Sequence, residues 1–342
     1  MPDTRGRLRT AILGCGGFAH RHAQNLASLP AEIELAAFCD HHAEKAQAFS
    51  EQYAGGRAAL FTDQRDLFEQ AELDLLVICL PPYGHTDEVE QAAARGIHIF
   101  MEKPIALTAA HAWRMVRAAE AAAIKTQVGF MFRFGEAVEY LKSRLVSGEA
   151  GLPGLMTARY FCNSLHAAWW RDREKSGGQI VEQLIHLLDL QRYLLGEPVS
   201  VFSRQDNLFH RDVPGYTVED VSATVMRFEH GALGVLAATN GALPGRWISD
   251  YRVVTRNLTA DFTDSNRATF HFTTAPGTPT HTIAAERNLH LLEMLDLLHA
   301  IRTGAETRTP LREGARSLDL ALAARRSADE QREVTLAEAV GG

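Results

Sequence analysis

The stretch TAILGCGGFAH, residues 10–20, decides the fold of the first part of this chain. A short apolar run ends at Leu13, and a glycine-rich turn and helix-forming residues follow it. Small residues in such a turn permit close approach of the backbone to a pyrophosphate and close packing of the next helix. That helix adds free N–H groups and a partial positive charge. The pattern G-x-G-x-x-A, with a strand before it and a helix after it, predicts a dinucleotide-binding turn, formed by Gly14, Gly16, Gly17, Phe18 and Ala19.

An acidic residue follows the second apolar run, IELAAFC, at the expected distance from this turn. Asp40 lies about twenty residues beyond the glycines, where a carboxylate can accept hydrogen bonds from the adenosine ribose. The same carboxylate would repel a 2′-phosphate, so NAD is the preferred cofactor. Two alternatives stay open. Asp40 could only cap a helix that starts at His41, and charged His41 and His42 could contact a 2′-phosphate, which would allow NADP.

The first 130 residues alternate short apolar runs with Ala-rich segments of helical periodicity. Most of the apolar runs are continuous, as in parallel strands that are buried on both faces. Strands are expected at 10–13, 33–39, 73–80, 97–101 and 126–132, and helices at 19–29, 42–54, 85–96 and 108–123. This alternation predicts a doubly wound Rossmann sheet of the α/β class, with an NAD-binding domain over residues 1–127.

The pattern changes in the second half of the chain. Strands are expected at 154–162, 199–205, 221–240, 250–262 and 268–274, with a hairpin at Glu229–Ala232, and helices at 179–196, 286–303 and 311–330. These elements predict an α+β domain with a large, mostly antiparallel open sheet. We assign residues 128–342 to this substrate-binding and oligomerisation domain, and a C-terminal helix could pack back on the first domain.

The composition favours a small-molecule partner. The 342 residues are 46 % hydrophobic and carry a net charge of −7, which argues against nucleic acid or an anionic membrane as the main partner. The four cysteines form no C-x-x-C pair, no run approaches the ~18 apolar residues of a membrane span, and the apolar part before Gly14 is too short for an export signal. We therefore expect a cytoplasmic protein.

The segment GIHIFMEKPIALT, residues 96–108, places charged residues where a buried strand should end. Lys103 falls at the carboxyl end of this strand, the edge at which open α/β sheets bind ligands. Beside a cationic nicotinamide and partly desolvated, its pKa should fall below about 10.4, so that it can exchange a proton with a substrate hydroxyl. Pro104 could take a cis bond. The alternative is a surface lysine that pairs with Glu102.

Five segments together carry a family resemblance. GCGGFA, Asp40, CLPPYGH (79–85), MEKP (101–104) and SGGQIVEQLIHLLDL (176–190) make the chain similar to the glucose–fructose oxidoreductase, inositol dehydrogenase and MocA (Gfo/Idh/MocA) family. The resemblance runs through the first 195 residues, and through the later sheet by layout only. It implies a Rossmann domain, a second domain with a large open sheet, and hydride transfer between NAD(P) and a sugar, sugar-derivative or cyclitol hydroxyl. It also implies a homodimer or homotetramer.

The resemblance assigns roles to individual residues. Lys103 matches the active-site lysine of the family, and Glu102 the acid near the nicotinamide ribose. The cofactor is also expected to contact Leu80, Pro81, His85, Trp170 and Arg171. Trp169, in the aromatic segment HAAWWRDREK, is expected to bind substrate, because aromatic rings stack on sugars. The match of Arg133 to a substrate-binding residue is looser, and a structural role is its alternative.

The segment 179–196 is expected to form one helix with Glu182, His186 and Asp189 on one face. The resemblance implies that His186 shares removal of the hydroxyl proton with Lys103. Glu182 stands where the family has an aspartate and would orient His186 or a substrate hydroxyl. His186 could instead be a core histidine bonded to Glu182. No third ligand accompanies them, so no metal is expected, and Asp189 is expected to pair with Arg192.

Three functions are consistent with these residues. The first is an NAD(P)-dependent dehydrogenase of a sugar or cyclitol. The second is a glycoside hydrolase that uses tightly held NAD with no net redox change. The third is a non-catalytic dinucleotide-sensing protein, against which the presence of both Lys103 and His186 counts.

Overall fold

The computed structural model describes residues 6–340, without the side chains of residues 339 and 340, and its residues fall into two units. The first unit holds the described residues up to Ala106 together with Ala110–Gly129 and His290–Ala315. The second holds Leu107–Ala109, Phe130–Leu289 and the described residues from Arg316 onward. Residues 290–315 thus group with the first unit; they lie inside the predicted second domain, for which packing of a C-terminal helix on the first domain was left open.

The described residues form fifteen strands and twelve helices. In chain order they are β1 (Leu8–Leu13), α1 (Ala19–Ala27), β2 (Ile33–Cys39), α2 (Ala43–Ala54), β3 (Ala59–Phe61), α3 (Gln64–Gln70), β4 (Leu75–Ile78), α4 (Glu88–Ala94), β5 (His98–Met101), α5 (Ala109–Ala121), β6 (Thr126–Val128), α6 (Glu136–Val146), β7 (Pro153–Phe161), α7 (Arg173–Ser176), α8 (Gln179–Glu182), α9 (Ile185–Leu195), β8 (Pro198–Asp206), β9 (Val221–Phe228), β10 (Leu233–Thr239), β11 (Tyr251–Thr255), β12 (Leu258–Asp264), β13 (Arg267–Phe272), β14 (Thr280–Ala284), α10 (Leu289–Thr303), α11 (Leu311–Glu330), β15 (Val334–Thr335) and α12 (Leu336–Val340). Two short 3₁₀ turns lie at Pro82–Gly84 and Met131–Phe134.

The first unit is built on a six-stranded sheet with the order β3-β2-β1-β4-β5-β6, and each adjacent pair is parallel. This confirms the predicted Rossmann layer. The strand order reverses between β1 and β4, and ligands of such sheets bind outside the carboxyl ends of the strands at that point. The glycine-rich turn follows β1, and the Glu-Lys-Pro corner follows β5. The fold therefore brings both segments to the same edge of one sheet.

The core of the first unit includes a helix from late in the sequence. Ile12, Val77 and Phe100 on the sheet form one apolar cluster with Met294 and Leu297 of α10. β3 and α3 were not predicted from the sequence, and β6 is shorter than the predicted strand at 126–132. β3 has only three residues and none of them is buried, so it carries no apolar signal. β6 stops at Val128, and the chain turns into the 3₁₀ segment after it.

The second unit is built on a nine-stranded sheet with the order β14-β13-β12-β11-β7-β10-β9-β8-β15. Its pairs are antiparallel except for β7 and β10, which confirms the predicted large, mostly antiparallel sheet. Buried and exposed residues alternate along β9, so one face of the sheet is covered and the other is open. The hairpin expected at Glu229–Ala232 joins β9 to β10, and Gly231 supplies its positive φ of 91°.

The single helix expected over 179–196 is wrong. The chain forms α8, a wide turn, and then α9, because the N–H of Leu184 donates to the carbonyl of Gln179 at 3.0 Å, five residues back. Such π-type turns are frequent at functional sites. Side chains on this turn have distant partners: Gln179 donates to Asn240 at 2.8 Å, and Gln183 donates to His166 at 2.8 Å. Glu182 is the last residue of α8 and His186 is the second residue of α9, so they do not share one regular helical face.

Within the part of the chain that the structure describes, every helix is too short or too polar to cross a membrane.

Candidate active site

The glycine-rich turn forms an open cradle at the start of α1. Gly14 is buried with a φ of 91°, and a Cβ there would lie 2.7 Å from the carbonyl oxygen of Cys79, so only glycine fits. Gly16 and Gly17 have open space instead, with nothing within 4 Å of a Cβ built on either residue. Ala19, the first residue of α1, is fully buried and packs the helix onto the sheet. An unobstructed backbone at a helix N-terminus fits a pyrophosphate group.

Asp40 braces this turn from the end of β2. Its Oδ2 accepts a hydrogen bond from the N–H of Cys15 at 2.8 Å, and its Oδ1 accepts one from the N–H of His42 at 2.9 Å. The carboxylate therefore ties the phosphate turn to the start of α2, which begins at Ala43 rather than at His41. The side chain stays partly exposed. Binding of the adenosine ribose by Asp40 remains a prediction.

The thiols beside the turn are chemically quiet. Burial, followed by the negative charge of Asp40, raises the pKa of Cys15 to about 12 and that of Cys39 to about 12. Both thiols are thus protonated near neutral pH and behave as small apolar groups.

The Glu-Lys-Pro corner contains a buried carboxylate. Glu102 is 8 % exposed, its Oε1 lies 2.5 Å from Nε2 of His22 on α1, and its Oε2 accepts a hydrogen bond from the main-chain N–H of Lys103 at 3.3 Å. Burial raises the pKa of Glu102, but the hydrogen bond and charge of His22 outweigh this and leave the pKa below its ordinary value. Lys103 itself is partly exposed, and the bond between Lys103 and Pro104 is cis.

The loop after β4 lies beside this corner, since β4 and β5 are parallel neighbours. Leu80 and Pro81 lead into the 3₁₀ turn, and His85 follows it with 7 % exposure. Nδ1 of His85 lies 2.6 Å from the buried carboxylate of Glu88. Burial raises the pKa of Glu88, but the hydrogen bond and the charge of His85 outweigh burial and leave the pKa below its ordinary value. Nε2 of His85 has no hydrogen-bond partner among the described residues. The imidazole is thus held on one side and available to a ligand on the other.

In the second unit, the aromatic segment reaches the wide turn after α8. Trp170 is 3 % exposed, and its indole Nε1 donates to Oε2 of Glu182 at 2.7 Å. Trp169 is partly buried and packs beside it. Arg171 donates from Nε to the carbonyl of Leu165 at 2.9 Å and from Nη2 to that of His166 at 3.0 Å. The contacts of Arg171 hold its own loop, and its contact with the cofactor remains a prediction.

His186 lies in an aromatic environment at the start of α9. It is 7 % exposed, and its ring centroid lies 5.3 Å from that of Phe132 and 6.3 Å from that of Phe130. These rings fix the imidazole sterically. Its role in proton removal remains a prediction.

Arg133 forms a buried ion pair with Asp189, which lies three residues after His186 on α9. Nε of Arg133 donates to Oδ2 of Asp189 at 2.8 Å and Nη2 donates to Oδ1 at 2.6 Å, and both side chains are at most 4 % exposed. Arg192, the partner expected from helical spacing, stays 4.0 Å from Asp189 and donates to Ser317 at 2.8 Å. The expected Asp189–Arg192 pair is thus secondary, because Arg133 offers two parallel hydrogen bonds. This geometry favours the structural alternative for Arg133.

Four residues near Glu182 were not singled out in the sequence. His166 has a positive φ of 54°, which is strained for a non-glycine residue, and its ring lies 4.1 Å from that of Trp170. Trp247, 58 % exposed, lies 5.5 Å from the His166 ring and 6.0 Å from the Tyr160 ring. With Gln183 these residues line a polar and aromatic surface beside Glu182. The aromatic segment signalled the region, but the strained backbone of His166 has no sequence signal.

Several known proteins are similar to this chain over nearly its whole length. A myo-inositol 2-dehydrogenase of Thermotoga maritima is 26 % identical over an alignment of 348 positions, which covers 98 % of this chain and all of the relative. A D-apiose dehydrogenase of Paraburkholderia graminis is 27 % identical over an alignment of 346 positions, which covers 96 % of this chain and 90 % of the relative. The WlbA dehydrogenase of Bordetella pertussis, solved with NADH and UDP-GlcNAcA, superposes with a TM-score of 0.83 at 26 % identity, over 96 % of this chain and 98 % of the other.

Two models of one family match successive parts of the chain. The oxidoreductase family with an NAD-binding Rossmann fold matches residues 8–130, and the GFO/IDH/MocA C-terminal domain matches residues 138–273. The two matches fall on the two parts whose sheets are described above, and together they cover most of the sequence. The chain belongs to the Gfo/Idh/MocA family of oxidoreductases.

Proposed function

We propose that this protein is an NAD-dependent dehydrogenase that oxidises a hydroxyl group of a sugar, a sugar derivative or a cyclitol. The observation that carries the proposal is the shared sheet edge of the first unit. There the open cradle at Gly16 and Gly17 and the buried Glu102 beside Lys103 follow strands of one parallel sheet. The relatives that align along nearly the whole chain are named for myo-inositol and D-apiose, which supports a polyhydroxylated substrate.

The residues at this edge fit a dinucleotide. The cradle and the N-terminus of α1 would hold the pyrophosphate, Asp40 the adenosine ribose, and Glu102 and His85 the nicotinamide end. Bound NAD supplies the acceptor for the hydride that leaves the substrate carbon. We propose NAD over NADP because Asp40 places a negative charge where a 2′-phosphate would lie and no arginine or lysine follows it directly.

The side chains of the chain handle the proton and the substrate. We assign removal of the hydroxyl proton to Lys103, with His186 assisting, because an ammonium and an imidazole can both exchange protons near neutral pH when suitably placed. We assign Glu182 to the substrate hydroxyls, in an orientation that the hydrogen bond from Trp170 fixes. Trp169 and the exposed ring of Trp247 would stack on the sugar. Arg133 would act indirectly, by anchoring α9 through Asp189.

One assay separates this function from its two rivals. Purified protein is incubated with inositols, aldoses and glycosides, with NAD and NADP in parallel, and NAD(P)H formation is followed by absorbance. Net NADH formation with a free sugar or cyclitol is expected. Glycoside cleavage without net NADH, by protein that retains NAD through gel filtration, would indicate the hydrolase. NAD binding without turnover on any substrate would indicate the sensor.

The role of Lys103 is tested with a matched lysine. Lys103→Met should bind NAD as the wild type does, by quenching of tryptophan fluorescence, and should lose turnover. Lys125→Met is the control. Lys125 directly precedes β6, at the amino ends of the strands and so away from the cradle, and it donates to the carbonyl of Gly304 at 2.7 Å. Full activity of Lys103→Met would overturn the proposal.

We also propose a homodimer that forms through the open face of the nine-stranded sheet. Phe202 of β8 is 38 % exposed, and its cross-strand neighbour Val225 of β9 is 43 % exposed. Leu233 of β10 is 44 % exposed. Apolar residues on adjacent strands form a patch of the kind that marks protein interfaces. Val225→Lys should lower the mass measured by light scattering to that of a monomer; an unchanged dimer mass would exclude this face.

The four cysteines are free, which supports a reducing compartment and hence the cytoplasm.

A further inference from the structure

A cluster of buried polar side chains lies behind the Glu-Lys-Pro corner, inside the first unit. His22 of α1 is fully buried and contacts Glu102, as described above. On α10, His290 is 9 % exposed and the carboxylate of Glu293 is fully buried, and their side chains lie 3.4 Å apart. The rings of His22 and His290 are 6.0 Å apart and perpendicular. We call these four residues, His22, Glu102, His290 and Glu293, the α1–α10 cluster.

Tight packing surrounds the cluster. The ring of Phe18 contacts both histidine rings, at 5.6 Å and 5.4 Å, and the ring of Phe100 lies 4.7 Å from His22. Gly129 approaches from the end of β6, and a Cβ there would lie 2.8 Å from Oε2 of Glu102. The Glu102 carboxylate is therefore confined on its β6 side by backbone and on its α1 side by His22.

This cluster is costly for a protein core. Buried polar atoms normally have hydrogen-bond partners, yet Nδ1 of His22 and both side-chain polar atoms of the fully buried Gln127 have none among the described residues. Gln127 pairs in register with Phe100, so its side chain projects from the same face of the sheet towards this region. Apolar residues of similar volume at such positions are often as stable or more so. The retained polarity thus points to a task other than stability.

We propose that His22 is a positioning residue for the reaction, because its imidazole fixes the Glu102 carboxylate, and with it the main chain of Lys103, relative to the helix that begins at the phosphate cradle. This inference rests on the proposed function. His22 lies three residues after Ala19, about 4.5 Å along a rigid helix at 1.5 Å per residue. One helix thus presents its N-terminus to the pyrophosphate and its His22 to the catalytic corner.

The charges that face the pair from each neighbouring element define its electrostatics. Arg21 accompanies His22 on α1, Cys79 directly follows β4, Lys103 follows Glu102, and α10 contributes His290 and Glu293. Burial lowers the pKa of His290 to about 4; the charge of Glu102 opposes this in part, and the charges of His22 and Arg21 add to it, so this ring is neutral near pH 7. Burial and then the charge of Glu102 raise the pKa of the Cys79 thiol well above normal, so it is neutral as well.

Since those two groups are neutral, His22 is the neighbour that most directly stabilises the buried negative charge of Glu102. Without His22, burial alone would favour the protonated form of Glu102. The corner would then lose a negative charge beside Lys103. Loss of a neighbouring anion favours release of a proton from a nearby cation, so the pH at which turnover rises should move to lower values. A purely structural role of His22 would lower activity without this shift.

The test compares His22→Phe, which keeps a ring but removes the donor, with His22→Gln, whose amide can donate to Glu102. His22→Phe should lower kcat by about ten- to hundredfold, as displacements of about 1 Å do, with a far smaller change in NAD affinity. His22→Gln should recover part of this loss. Glu102→Gln should shift the pH profile in the same direction as His22→Phe, and the double variant His22→Phe/Glu102→Gln should be no slower than Glu102→Gln alone. The control is His20→Phe, because His20 lies on the same helix, is exposed, and contacts the hydroxyl of Tyr53 at 2.8 Å.

A readout without cofactor keeps the inference testable if a variant folds poorly. In ¹⁵N-histidine-labelled protein free of NAD, the short contact should give His22 a strongly downfield imidazole N–H signal, which Glu102→Gln should move and His20→Phe should not. An unmoved signal would overturn the pairing. Wild-type kcat and pH profile in His22→Phe, while Lys103→Met is inactive, would overturn the positioning role alone. Full activity of Lys103→Met would instead overturn the proposed function.

Discussion

Trp170 orients Glu182 through a hydrogen bond from a buried indole to a partly buried carboxylate. The indole Nε1 donates to Oε2 at 2.7 Å, and the Trp170 ring is anchored against Tyr216 and Val218. An apolar cluster thus fixes the direction of a carboxylate that we assign to the substrate. The wide turn that follows Glu182 separates it from His186, so the two side chains are positioned by different neighbours.

Removing this hydrogen bond should weaken the reaction without unfolding the second unit. Trp170→Phe keeps the aromatic packing and loses the N–H donor. Hydrogen bonds to charged groups contribute about 1.5–3 kcal/mol, so kcat/KM for the substrate should fall by about ten- to hundredfold. Steady-state kinetics with saturating NAD measure the change in kcat/KM for the substrate. Trp113→Phe on α5 serves as the control. Unaltered kcat/KM in Trp170→Phe would show that the Trp170 bond does not matter for Glu182.

Local sequence patterns were sufficient for five of the six strands of the parallel sheet and for the cradle. The signals used were the apolar runs, the glycines and Asp40. Each depends only on residues close together in the sequence, so each can be recognised without knowledge of tertiary contacts. The wide turn after Glu182 depends on Gln179 and on its partner Asn240, 61 positions later in the chain. Likewise Asp189 pairs with Arg133, 56 positions earlier, in preference to Arg192 three positions on. Tertiary partners therefore overrode helical spacing at these two places, and no periodicity signals them.

The Arg133–Asp189 pair should contribute strongly to stability. Arg133→Lys cannot reproduce the two parallel hydrogen bonds and leaves the buried Asp189 poorly paired. Disrupting a buried pair costs about 3–5 kcal/mol, and urea unfolding followed by circular dichroism should report a loss of that order. The control is Arg159→Lys, because Arg159 and Asp250 form a similar two-pronged pair at the surface, with Arg159 51 % exposed. That change should cost at most about 1 kcal/mol. Equal losses in the two variants would contradict the buried role of Arg133.

The choice between NAD and NADP should depend on Asp40. Asp40→Ser combined with His41→Arg removes a negative charge and adds a positive one at the end of β2. The ratio of kcat/KM for NADP to that for NAD should rise at least about tenfold, since one charged hydrogen bond contributes about 1.5–3 kcal/mol. Asp63→Ser is the control, because Asp63 caps α3 through the N–H of Arg65 at 2.8 Å. A ratio that stays at the wild-type value would mean that Asp40 only braces the turn.

The buried His290 should make the protein sensitive to mild acid. Burial chiefly lowers the pKa of this side chain from 6.5 to about 4. Between these values the unfolded chain binds a proton that the folded chain excludes, so stability is complete above pH 6.5 and falls as the pH drops towards 4. At 1.36 kcal/mol per pH unit, the loss over this interval is about 3 kcal/mol.

His290→Gln removes the titrating group, so its unfolding free energy should fall less steeply with pH than that of the wild type. Urea unfolding at pH 7, 6 and 5 measures the slope of the unfolding free energy against pH for the variant and for the wild type. Groups that titrate alike in both proteins contribute equally to both slopes, so the difference between the slopes reports on His290. His281→Gln is the control, because His281 lies on the exposed strand β14 and should leave the wild-type slope unchanged. Parallel slopes for His290→Gln and wild type would show that His290 takes up its proton in the folded protein as readily as in the unfolded chain.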